Sequence, residues 1–294
     1  MAVHCIVPPH PAALYVTNAL GADIGTVIFY GLLIGLTASL VGGPLFLKVV
    51  GANLPFKKVP EEFTSLEVKN ENELPSLGAT LFTVLLPIIL MLTKTAAELN
   101  MEHGTTVYSI LEFLGNPITA MFIAAFVAYY ILGIKQNMGM SILLEKTEGA
   151  FASIANILLI IGAGGAFNGV LKGSGLADVL AQILSNLDMP PILLAWLVAI
   201  ILHAAVGSAT VAMMGATAIV APLLPLYPDI SPEIITLAIG SGAIGCTIVT
   251  DSLFWLVKQY CGASMSETFK YYTTATFIAS FVALGGTFLL SYII

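Results

Sequence analysis

The sequence predicts an all-α membrane protein: multi-spanning, with broken helices, a re-entrant hairpin and an inverted repeat. Charged residues fill only 9% of its 294 positions and hydrophobic ones 58%, whereas a soluble domain carries roughly 25% charged residues. Apolar runs near the ~20 residues that a bilayer span needs recur along the whole length. Several of these runs are interrupted by glycine, hydroxyl and ionisable residues, which membrane depth tolerates only where protein or water covers them.

Composition also excludes. All 10 basic residues are lysine, so the bidentate donor that phosphate and nucleic-acid sites favour is missing, and no nucleic-acid partner is expected. Cys5, Cys246 and Cys261 are few, odd in number and without metal-ligand spacing; they read as small apolar residues. No metal and no organic cofactor are expected. The start "MAVHCIVPPHP" has neither a basic region nor a sustained apolar run, so it does not read as a signal peptide.

In chain order, the expected spans are Ile24–Leu47, Leu77–Ala96, Glu112–Ile134, Glu148–Leu171, Ser231–Val257 and Tyr272–Ile294. The polar stretch 51–76 reads as a solvated cytoplasmic loop. It separates residues 1–50 from connecting spans in 77–147, and 148–294 follows as a second repeat. The apolar stretch Pro190–Pro225 decides the orientation. Taken as an even crossing, it leaves eight lysines on one side and only Lys94 and Lys172 on the other; taken as a single crossing, the split is six to four. The positive-inside rule favours the first. Its arms, Pro191–Val206 and Val211–Pro225, are each short of a full span, so a re-entrant hairpin is expected. Its mouth and the C-terminus would face outward.

The tip of that hairpin is Gly207, Ser208, Ala209 and Thr210. At mid-depth it would present free N–H groups and two hydroxyls, and a helix N-terminus holds an anion without any Arg. Small residues that let helices pack closely explain the same stretch equally well. His203, one turn earlier, reads either as a packing histidine or as a participant.

"AIGSGAIGCTIVTDSLFWLVKQY" is a second interruption, with Gly240, Gly242 and Gly245 followed by Thr250, Asp251 and Ser252. A charge near the bilayer centre costs ~2.5–3.5 kcal/mol on insertion scales. Asp251 is therefore expected to line a polar cavity and suits a proton carrier; pairing with Lys258 is the bland alternative. A third interruption, Ile160–Gly175, reads as a gating or packing joint.

Shifted by 241 positions, the N-terminal "PPHPAALYVTNALGADIG" falls on the Asp251 region: His10 meets Asp251, Gly21 meets Gly262 and Tyr30 meets Tyr271. The lysine count runs the two copies in opposite directions. Opposed repeats meeting at broken helices are the arrangement of many secondary transporters, and His10 becomes the counterpart of Asp251.

These stretches, "PPHP" with "LGADIG", "GAGGAFNGVLKGSG", "VGSATVAM" and "GSGAIGCTIVTDSLFWLVKQYCG" with "ETFKYYTTATFIAS", together resemble the gluconate permease (GntP) family of proton symporters. The resemblance covers the whole chain and is densest from Gly162 onward. It implies a multi-pass carrier of the bacterial inner membrane that moves gluconate or a related sugar-acid anion with protons, on an inverted-repeat fold with two hairpins. It makes Gly207–Thr210 one hairpin tip, Thr250–Ser252 one broken helix and Pro8–Pro11 the other. Ser208, Thr210 and nearby N–H groups would bind substrate, with Asp251 and His10 coupling the proton. Two departures stand out. The chain begins at the "PPHP" motif, so it is expected to correspond to the family's C-terminal portion, with an oligomer able to supply a missing repeat or the fragment inactive. The familiar "PPHPGP" reads "PPHPAA", at Ala12 and Ala13. Another small hydroxy acid, D-serine included, is the alternative cargo. An intramembrane enzyme is disfavoured, because no nucleophile elbow, HExxH or paired intramembrane aspartate appears.

Overall fold

The computed structural model of the chain describes residues 2–8, 10–50, 74–101, 104–151 and 189–293, with isolated positions between 159 and 174. Among the described residues every regular element is helical, and five helices are long and apolar enough to cross a membrane. The expected span Glu148–Leu171 and the joint Ile160–Gly175 lie almost entirely outside the described residues.

Two compact units form, Leu66–Leu159 and, from the two ends of the chain, Met1–Ser65 with Ile160–Ile294. The first holds α4 (Leu77–Asn100), α5 (Thr106–Gly115) and α6 (Pro117–Ala128), the last continuing through a π-helical turn and a 3-10 turn to Gln136. A single span over Glu112–Ile134 was expected; the structure breaks it at Asn116. Asn116 takes extended backbone, its side chain accepts from the Ile118 N–H, and Pro117 starts the next helix, the arrangement that favours a helix start over a continuation. Leu81, Val84, Phe122 and Phe126 are exposed, as lipid-facing residues should be.

The second unit carries the interruptions. It contains α1 (Ala2–Ile6), α2 (Pro11–Leu20), α3 (Ile24–Val49), α7 (Pro191–Val206), α8 (Ala209–Val220), α9 (Pro232–Ile244), α10 (Ser252–Tyr260) and α11 (Met265–Leu290). The span expected over Ser231–Val257 is two helices, α9 and α10. Gly245 ends the first and Asp251 caps the second.

α7 and α8 form a hairpin. A Cβ on Gly215 would touch Leu202, so positions about equally far from the Gly207–Ser208 turn face each other. The 16 residues of α7 and the 12 of α8 rise about 24 and 18 Å, less than the ~30 Å hydrocarbon core. With its 3-10 extension to Leu226, α8 counts among the five helices of span length, but it returns along α7. α9 runs parallel to α7: Gly242 lies against Trp196 and Ala199, and Gly245 against Ile200. α9 thus stops at the level of Ile200, while α7 runs on about 9 Å further to the hairpin tip, where Gly207 meets Thr250 and Asp251 at the far side of the break.

α9 sits at the centre, buried from Ile234 to Ile244. Between helices in lipid, close packing and hydrogen bonds replace the hydrophobic drive. Gly240 lets α9 approach the Cys5 carbonyl, and Gly242 the Trp196 carbonyl. The Trp196 indole N–H donates to Ser280 Oγ at 2.9 Å, and Ser280 Oγ donates to the Ser241 carbonyl at 2.6 Å.

The 241-residue register reappears in the backbone. α3 (26 residues) maps onto α11 (26 residues) end to end. Before each lies a left-handed glycine, Gly21 (φ +73°) and Gly262 (φ +59°). Ala22 N–H bonds the Thr17 carbonyl and Ala263 N–H the Lys258 carbonyl, both at 2.9 Å, one half of a Schellman cap. Asp23 then caps α3 and Ser264 caps α11. The paired helices run antiparallel, since Gly42 lies on Ala275 and Ala279 while Gly286 lies on Ile34. Upstream of the glycines, His10 and Asp251 occupy the N-cap positions of α2 and α10.

Candidate functional site: a hairpin tip docked on a broken helix

The site begins with a helix that cannot continue. After Ile244, Gly245 turns extended and Cys246 takes a left-handed conformation, φ +61°, unfavourable for a residue with a side chain and often found at functional sites. The chain restarts at Asp251, whose Oδ1 accepts from the Leu253 N–H at 2.8 Å.

Against this break rests the hairpin tip. Gly207 ends α7 with φ +70°, and its N–H donates to the His203 carbonyl at 2.8 Å. A Cβ here would overlap the Thr250 carbonyl and come within 2.7 Å of the Asp251 nitrogen, so only glycine gives this approach. Ser208 has extended backbone, and its Oγ accepts from the Val211 N–H at 3.4 Å. Ala209 is buried and Thr210 half-buried in the first turn of α8. Thr250 is exposed, but its hydroxyl donates to the Ala204 carbonyl at 3.0 Å, one of the carbonyls that the end of α7 leaves over. Its oxygen clamps the tip to the break. Ser252 is exposed in the first turn of α10.

Asp251 and His203 form the ionisable centre. The Asp251 carboxylate Oδ2 lies 3.0 Å from His203 Nε2, and His203 Nδ1 lies 2.6 Å from the Gly245 carbonyl. His203 is fully buried and Asp251 is 6% exposed. A carbonyl can only accept, so Nδ1 carries a proton. His203 thus joins the hairpin arm to both ends of the break. The sequence contained a usable signal: a histidine on an otherwise apolar helix needs partners for both ring nitrogens, and Asp251 is the acid inside the neighbouring span.

His10 is placed differently. It caps α2 through its backbone only, before Pro11. Its ring lies against His4, centroids 3.8 Å apart, and its Nδ1 is buried with no hydrogen-bond partner among the described residues. The structure pairs Asp251 with His203 instead of His10. Thr247 Oγ1 and the Tyr272 hydroxyl, beside the break, are likewise buried and, among the described residues, make no hydrogen bond of good geometry.

The GntP family permease model matches residues 1–293. The chain belongs to the GntP permease family. Among its relatives, the D-serine transporter DsdX of Escherichia coli K12 is 77% identical over 294 residues, covering 100% of this chain and 66% of the relative. The gluconate permease of Pseudomonas aeruginosa is 41% identical over 294 residues, 100% of this chain and 65% of the relative. The high-affinity gluconate transporter of E. coli K12 is 34% identical over 292 residues, 99% of this chain and 66% of the relative. The GntP chain therefore spans just under two thirds of the length of these relatives. No solved structure matches it. Family and helices together make this GntP chain a multi-pass membrane protein, and its relatives are named as permeases and transporters, not enzymes.

Proposed function

We propose that this chain carries the transport site of a proton-coupled secondary transporter for a small hydroxylated acid, with D-serine as its cargo. The 77% identity to a D-serine transporter across all 294 residues carries the choice of substrate. Gluconate, the cargo first implied by the resemblance, rests on relatives at 41% and 34% and is the second reading.

The geometry suits either acid. The N-terminal turns of α8 and α10 begin at the docked tip and break, and each leaves N–H groups for a carboxylate. Ser208, Thr210 and Ser252 put hydroxyls in those turns, and Thr250 holds them together. His10 opens a third such turn at α2, which packs against α8 and α9. Asp251 is the proton-carrying acid of this reading. In this reading the hairpin mouth and the C-terminus face the periplasm, an orientation that the lysine asymmetry supports.

Uptake of radiolabelled D-serine by cells without D-serine or gluconate carriers tests this. The expected result is uptake that a protonophore abolishes and that excess gluconate barely reduces. Gluconate uptake without D-serine uptake would exchange the two readings.

A further inference from the structure

We propose that His203 and Asp251 together form one proton-binding site, and that the proton they share is the latch holding the hairpin tip against the broken helix. The inference deepens the transport reading only in its coupling to cargo; the site itself follows from geometry.

Because Nδ1–H donates to the Gly245 carbonyl at 2.6 Å, Nε2 has two ways to meet Asp251 Oδ2 at 3.0 Å. It carries a second proton and donates it to a carboxylate, or it is bare and accepts one from a carboxylic acid. Both place one proton between the same two atoms, so the proton belongs to the pair and not to either residue. Remove that proton and the Nε2 lone pair faces a carboxylate oxygen in a buried setting. Switching tautomer to restore an Nε2–H would instead turn the Nδ1 lone pair on the Gly245 carbonyl. No deprotonated arrangement satisfies all three groups in place, and an unsatisfied buried polar group is costly.

The surroundings offer no substitute. Asp251 is within electrostatic reach of His4 and Cys5 on α1 and of Tyr272 on α11; among the described residues none of them bonds to the pair. His10 on α2 lies on His4. α8 has no titratable side chain, Glu233 sits at the far end of α9 accepting from the Asp23 N–H, and Lys258 is about two turns along α10. When the proton leaves to water, the pair passes from net neutral to one negative charge. His203 belongs to the hairpin arm and Asp251 to the broken helix, so their repulsion acts across the tip–break contact. Proton release thereby shifts the population toward an undocked tip.

The test is nitrogen-15 NMR of the histidine-labelled chain in lipid bilayers, with His203 assigned by the signal lost in His203→Gln. In the wild type, Nδ1 should carry a proton at low pH, and the Nε2 signal should move as pH rises, from an Nε2–H or a hydrogen-bonded bare Nε2 to one without a partner. In Asp251→Asn, whose amide donates to Nε2, His203 should stay in the neutral Nδ1–H form without that titration. A wild-type His203 in the Nε2–H form at all pH values would overturn the proposal, and so would the same titration in Asp251→Asn. Should His203→Gln fail to fold, the comparison of wild type with Asp251→Asn still decides, since asparagine keeps the helix cap. A titrating pair alongside uptake indifferent to a pH gradient would remove proton-coupled transport and leave the site standing.

Discussion

At the scale of single residues, the decisive position is Gly207. Its φ of +70° costs an L-residue about 1–2 kcal/mol, and a Cβ would also strike the Thr250 carbonyl. Gly207→Ala should lower the melting temperature in detergent and eliminate uptake; if both stay unchanged, the tip does not dock on the break. Thr250→Val keeps the shape but leaves the Ala204 carbonyl without its donor. About 1 kcal/mol of stability should go with that bond, visible as a smaller drop in melting temperature. The tip was legible in the sequence because glycine followed by serine at membrane depth is a helix break with a cap. Its docking partner was not, since nothing local in 207–210 names Thr250.

For the elements, capping separates structure from chemistry at one side chain. Asp251 caps α10 and meets His203 through different oxygens. Asparagine caps a helix about as well as aspartate, whereas alanine loses roughly 1 kcal/mol and strands His203 Nε2 at a further ~1–3 kcal/mol. Melting temperatures should therefore fall in Asp251→Ala but hardly in Asp251→Asn, while proton-driven uptake disappears in both. Equal destabilisation would mean the carboxylate charge itself holds the fold. Ser264 offers a contrast: it forms a capping box with Glu267 at the start of α11, away from the tip. Ser264→Ala should cost about 1 kcal/mol and leave uptake intact, a result checked by measuring both on one preparation.

Over the whole second unit, the parallel packing of α7 with α9 and the antiparallel packing of α3 with α11 give the ends of the helices opposite faces. Asp229, in the connection between α8 and α9, and Cys261, after α10, are both exposed. With Cys261→Ser as background, Asp229→Cys should react with a membrane-impermeant maleimide in intact cells. Native Cys261 should react only after the membrane is opened. The reverse pattern would invert the orientation that the lysine bias implies, and labelling of both in intact cells would break the topology.

By itself, the sequence determined the class, most of the places where helices fail and the register of the repeat. Apolar run length, glycine and capping residues act locally, so they can be read along the chain. The 241-residue shift was visible in weak matches and returned as paired glycine turns and caps. A single span over Glu112–Ile134 misses the break at Asn116, because hydropathy averages across a one-residue cap, whereas the break within Ser231–Val257 was legible in its glycines and Asp251. Only the tertiary structure decided which ionisable groups meet. His203 and Asp251 are 48 residues apart, and the repeat register pointed His10 at Asp251 as an equivalent position, which is not the same as a contact. Equivalence is a property of the chain; the 3.0 Å between Nε2 and Oδ2 exists because the last turn of α7 ends against the start of α10.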